Sequence, residues 1–235
     1  MQNSTLYFIP HWDYLEFFQN NELTDCDIVL SPTETIKAHR AILANSSEFF
    51  LNTFTSGMEE DKTKRVNIEF NPCNLFSEVI SWMYNGEITI HLDKCMSLLA
   101  IANYYFITQL QQTVQEYITN NCTPQNLALF IDQCYQNELQ SELTKLVPEI
   151  AKNLDDLKKL SNFGDMLDVG TYAQVLVAKQ LSPHDLIQDL KHFIGDYVLN
   201  DQDRKNLNMV FNADPYKAEF LKDPDLSKWD IFNAE

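Results

Sequence analysis

His39 stands beside Arg40, with Ser46 and Ser47 seven and eight residues after the histidine, and no other stretch gathers side chains of catalytic type so closely. A histidine able to take a proton from a serine hydroxyl is the centre of acyl-transfer chemistry. A serine nucleophile of the G-x-S-x-G kind, however, sits on a strained turn flanked by glycine. The five glycines are at 57, 86, 164, 170 and 195, so none precedes these serines. A serine that follows Asn45 and leads into Phe49 and Phe50 is an ordinary helix-start position. The stretch is therefore expected to be architecture, with His39 at a strand end and Ser46 at a helix start. No catalytic residue is expected.

Metal and cofactor chemistry find equally little support. The cysteines, at 26, 73, 95, 122 and 134, form no C-x-x-C pair, and the histidines at 11, 39, 91, 184 and 192 do not cluster with them. Close pairs would be needed for a zinc site or a disulfide framework. Five scattered glycines are too few for phosphate-cradling loops. The expectation is no metal, no cofactor, and free thiols in a reducing compartment.

The formal net charge is −17, divided as −9 over residues 1–120 and −8 over residues 121–235. An acidic surface of this extent repels phosphate backbones and anionic membranes, and it attracts basic partners. Neither nucleic acid nor membrane is an expected partner. The longest apolar runs, such as "LLAIA" at 98–102, are too short to span a bilayer. No basic leader precedes Lys37, and a cytoplasmic or nuclear location is the expectation.

Hydropathy spacing gives the elements that must position whatever does the work. "HWDYLEFFQN" (11–20) is a short amphipathic helix with more aromatic surface than one small face needs. "CDIVLS" and "ETIKAH" are β-branched runs separated by "PT" and predict a hairpin. "RVNIEF" (65–70) alternates as a further strand, and "NGEITI" supplies a turn and another. Asn71 and Pro72 have the character of an N-cap and first helical residue. The following stripe is Leu75, Phe76, Val79, Ile80, Met83 and Tyr84. Two more helices lead to residue 120. Beyond 122 the pattern is helical throughout, over 125–136, 138–152, 155–161, 171–179 and a helix opened by Ser182-Pro183-His184-Asp185, whose stripe runs on to Tyr197 and Val198. The last segment, with two D-P steps, is expected to be irregular. The fold class is α+β: a small mixed sheet flanked by helices, followed by an all-α region.

In their order and spacing, "DCDIVL", "IKAHRAILANSSEFFLNTF", "GMEEDKTKRVNI", "SWMYNGEITI" and "LLAIANYY" resemble a BTB/POZ domain. The continuation "CTPQNLALFIDQCYQNEL" is similar to the start of a BACK domain, including its 3-box helices. The whole resembles kelch-like BTB–BACK adaptors without kelch repeats. The implied organisation is an N-terminal dimerisation helix (1–22), a BTB/POZ domain (23–121), a BACK-like domain (122–212) and a C-terminal tail (213–235). In relatives that recruit cullin-3, a hydrophobic-x-Glu motif follows the "SSEFF" helix. The resemblance places Met58 as its apolar knob and Glu60 as its acceptor, with Tyr104 and Tyr105 from a neighbouring turn. The 3-box residues Leu127, Phe130 and Ile131 would extend that surface. It also places Trp12, Tyr14, Leu15 and Phe18 at a homodimer interface, and gives Asp27, His39 and Ser46 structural roles. The implied function is a non-enzymatic homodimeric adaptor joining the cullin-3 N-terminal domain to a substrate protein. The alternative is a BTB scaffold in transcriptional or cytoskeletal assemblies that does not bind cullin.

Overall fold

The computed structural model describes residues 14–57, 59–212, 215–223 and 226–233. Between Ile118 and Thr119 the chain divides into two compact units.

The first unit opens with α1 (Tyr14–Gln19), then the hairpin β1 (Cys26–Ser31) and β2 (Glu34–Ala38). Helices α2 (Arg40–Ser46), α3 (Glu48–Thr55) and α4 (Glu59–Thr63) follow, and β3 (Arg65–Asn67) returns to the sheet. A 3-10 turn (Pro72–Asn74) precedes α5 (Phe76–Asn85), α6 (Cys95–Tyr104) and α7 (Thr108–Asn120). The strand order is β2-β1-β3. β1 runs antiparallel to β2, with Ile28 facing Ile36, and parallel to β3, with Ile28 facing Val66. As the central strand β1 is covered on both faces, which is why Ile28 and its neighbour Val29 are both buried instead of alternating.

Three sequence expectations change here. The strand expected over 65–70 stops at Asn67: Ile68 N–H still reaches Val29 O (2.9 Å), but the Phe70 N–H donates to the Tyr105 hydroxyl (3.1 Å). A side chain has taken over from the ladder. Residues 87–90 of "NGEITI" form no strand, since no ladder partner lies beside them among the described residues, although the turn is real. Gly86 takes the left-handed conformation (φ 73°) that ends α5, and its N–H bonds Trp82 O. Asn71 and Pro72 begin the 3-10 turn, whose Cys73 and Asn74 are left-handed. The α-helix starts only at Phe76, whose N–H the Asn71 side chain accepts at 2.9 Å. The stripe from Leu75 to Tyr84 is buried as expected.

The second unit is helical: α8 (Pro124–Gln136), α9 (Gln140–Leu157), a 3-10 turn (Phe163–Asp165), α10 (Val169–Ala178), α11 (Pro183–Ile194), α12 (Asp201–Phe211) and α13 (Tyr216–Lys222). Side-chain caps at Thr123, Asp168, Ser182 and Asn200 satisfy first-turn N–H groups, and Asn200 with Asp203 completes a reciprocal capping box. The two helices expected over 138–152 and 155–161 are one, because the stripe Leu143, Leu146, Ile150, Leu154, Leu157 runs unbroken past Pro148. Conversely α11 ends earlier than its stripe suggested. Gly195 (φ 53°) stops it, leaving Tyr197 and Val198 exposed. The expected irregular tail holds α13 and two 3-10 turns, with Phe220, Leu226 and Ile231 buried. Helices α10 and α12 meet at Gly170, where an added Cβ would lie 2.7 Å from the Asn206 Cβ.

Candidate functional site

His39 and the two serines are held apart by their own hydrogen bonds. The His39 N–H donates to the Tyr84 hydroxyl (2.8 Å), which also meets the ring at Nδ1 (2.8 Å); Nε2 is 2.7 Å from Glu22 O. An Nε2–H donor with Nδ1 accepting from Tyr84 satisfies all three contacts. Burial pushes the Tyr84 phenol up to about 12, so it stays a neutral donor. Ser46 is the last residue of α2, where its hydroxyl donates to Ile42 O (3.0 Å). The helix-start role expected of Ser46 therefore belongs to Ser47. That hydroxyl accepts from Phe50 N–H (3.3 Å) and donates to Tyr105 O at 2.6 Å. Neither serine contacts His39, and no nucleophile–base pair forms. Among the described residues no group of three His, Cys, Asp or Glu is placed to hold a metal ion, and no helix is long and apolar enough to cross a membrane.

Arg40, whose signal in the sequence was only its place beside His39, ties three helices together. Its guanidinium donates to Phe54 O and to Asp61 Oδ1 (2.6 Å), and it lies over the Phe54 ring (5.1 Å). That link holds α4 against the end of α3. Asp27 is a half-buried residue of β1, opposite Lys37 and Arg65, and its N–H donates to Lys64 O (2.8 Å).

The consequence is a groove of about 480 Å³ whose lining includes Phe49 and Thr53 of α3, Ser56 just after that helix, Glu60 of α4, and Tyr104 and Phe106. Glu60 and Tyr104, two of the partner-site candidates from sequence, thus share one concave surface. Tyr104 is 47% exposed and stacks on Phe70 (4.8 Å), while Phe106 is 59% exposed and held left-handed (φ 50°). Glu48 and Glu69 also line the groove, but among the described residues no lysine or arginine does. Among the described residues none of these three carboxylates is hydrogen-bonded or ion-paired. Glu60 lies in the first turn of α4, and α4 buries no residue.

Tyr105 also lines the groove, but not as an exposed contact. It is 1% exposed, packed among Phe49, Phe50 and Phe76, with its phenol pushed up to about 12 by burial. In α6 residues 95–102 are all buried, so periodicity could not separate Tyr104 from Tyr105. Phe106 carried no signal at all, since its exposure depends on a positive φ. Leu127, Phe130 and Ile131 of the expected 3-box surface are fully buried core of α8. Met58 and Trp12 lie outside the described residues, as do the side chains of Tyr14 and Leu15. Phe18, expected at a dimer interface, is half-buried and stacks on Tyr84 of its own unit (4.4 Å, 19°).

A family model described as the BTB/POZ domain matches residues 14–122. BTB/POZ domain-containing protein 9 of Drosophila melanogaster is 25% identical over 158 residues, which are 66% of this chain and 22% of that protein. The chain therefore spans less than a quarter of that relative's length. The three-stranded sheet with its surrounding helices, the matched residues and this relative agree: residues 14–122 are a BTB/POZ domain, a protein-interaction module.

Proposed function

We propose that the chain is a non-enzymatic adaptor whose BTB/POZ domain docks the cullin-3 N-terminal domain in the Glu60–Tyr104 groove, and whose BACK-like helical unit belongs to the kelch-like type. In this reading it acts as a homodimer and brings a substrate protein to a ubiquitin ligase. The observation that supports it is the groove itself, where a carboxylate with no described partner and exposed aromatic rings converge beside the Met58-Glu59-Glu60 stretch. Unpaired acceptors and uncovered aromatic faces are what a partner would complete. A flexible thioether at Met58 suits an irregular apolar socket.

Calorimetric titration with the cullin-3 N-terminal domain tests this, with light scattering to establish whether the particle mass is twice the 27.3 kDa chain. Glu60→Lys and Met58→Ala should each weaken docking by roughly 30-fold, about 2 kcal/mol, while Glu59→Ala changes little. Binding by wild type that both anchor variants retain in full would reject the groove as the site. Absence of binding at about 100 μM, some 5 kcal/mol of affinity, would hand the function to the scaffold alternative.

A further inference from the structure

We propose that Ser56 is a phosphate-acceptor site for an acidophilic kinase, and that a phosphate there weakens docking in the groove. The second clause rests on the groove being the partner site. Ser56 is exposed, follows the last residue of α3 and lines the groove. Glu59, Glu60 and Asp61 occupy the third, fourth and fifth positions after it, and no other serine or threonine of the chain is followed by acids at all three positions. A kinase whose substrate cleft is basic would be drawn to that run.

The segment is also built to be presented. Gly57 takes φ 70° with nothing within 4 Å of where a Cβ would stand, and α4 buries none of its residues. Extending the strip into a kinase cleft must release Asp61 from Arg40, whose side chains are 27% and 26% exposed. The kinase's basic cleft must offset that release by pairing with the acids it frees.

In the reaction the Ser56 Oγ attacks the γ-phosphorus of ATP. The new O–P bond forms as the bond from the γ-phosphorus to the bridging oxygen breaks, ADP leaves, and the hydroxyl proton passes to the kinase's base. The product carries about −1.5 to −2 charges at neutral pH. A phosphate disrupts where it sits at a helix C-terminus, in an apolar interface or next to carboxylates. Ser56 caps the C-terminal end of α3 and shares the lining of one groove with Phe49, Phe106 and Glu60, so all three conditions are met there.

The full chain is incubated with casein kinase 2 and ATP, phosphate is localised by mass spectrometry, and the modified protein is titrated with the cullin-3 N-terminal domain. Phosphate is expected at Ser56, lost in Ser56→Ala, with Thr55 unmodified and docking roughly 10-fold or more weaker. Ser56→Ala should melt at the same temperature and, after the same kinase treatment, lose no affinity relative to its own untreated form. Absence of phosphate at Ser56, while a control peptide is modified, overturns the acceptor assignment. Stoichiometric phosphate with unchanged affinity overturns the docking clause. Failure of the unmodified chain to bind cullin rejects the function proposed above and the docking clause with it, and mass spectrometry still decides the acceptor.

Discussion

Replacing Ser47 by alanine should cost the first unit far more than the same change at Ser46, although the two serines are neighbours. The Ser47 side chain is 2% exposed and its one hydroxyl serves two groups, capping α3 through Phe50 N–H and donating to Tyr105 O at 2.6 Å. Loss of an N-cap costs about 1 kcal/mol. A buried carbonyl that loses its donor costs about 1–3 kcal/mol more. The sum, about 3 kcal/mol, corresponds to roughly 10 °C in the melting temperature of a unit near 120 residues. Ser46→Ala removes only a bond to Ile42 O within α2 and installs the best helix former, so it should stay within about 0.5 kcal/mol of wild type. Urea unfolding followed by circular dichroism measures both. A Ser47→Ala loss below about 0.5 kcal/mol, or a larger loss at Ser46, would refute the assignment of the cap and of the α3–Tyr105 link.

Tyr105→Ala should lose about 3–5 kcal/mol of stability as a truncated core aromatic. Tyr104→Ala should lose under about 1 kcal/mol yet weaken cullin docking, so melting and titration separate the two. Gly170→Ala gains about 1 kcal/mol of helix propensity but sets a Cβ 2.7 Å from that of Asn206, and overpacking of about 1–3 kcal/mol should leave a net loss; adding Asn206→Gly should restore it in a thermal melt. Tyr84 and Tyr105 have folded-state pKa values raised to about 12, above their unfolded value near 10. Their contribution should be complete below pH about 10 and fall away as pH rises toward 12, seen as declining urea midpoints that Tyr84→Phe partly flattens.

The elements legible in the sequence were those fixed by local pattern. "CDIVLS" and "ETIKAH" form the hairpin, Leu75 to Tyr84 form a buried face, and Ser182 caps its helix as its neighbours dictated. What was misjudged depends on distant residues. Nothing near Ser46 says that the chain breaks between the two serines, because the choice is made by a carbonyl 58 residues away. β3 ends early because a hydroxyl 35 residues on claims the Phe70 N–H. Glu60 could be named from its place after the "SSEFF" helix, whereas Phe106 and the anchoring role of Arg40 needed the folded arrangement.

The groove's walls are far apart in the order of synthesis. One runs from Glu48 to Glu69 and the other is Tyr104 to Phe106. At 5–20 residues per second the ribosome needs about 2–7 s to add the second wall after the first. Throughout that interval Phe49 has no Tyr105 ring against it (5.0 Å in the finished fold), and Ser47 has no carbonyl to bond. An emerging chain thus exposes an aromatic helix face before the groove that face will line is complete.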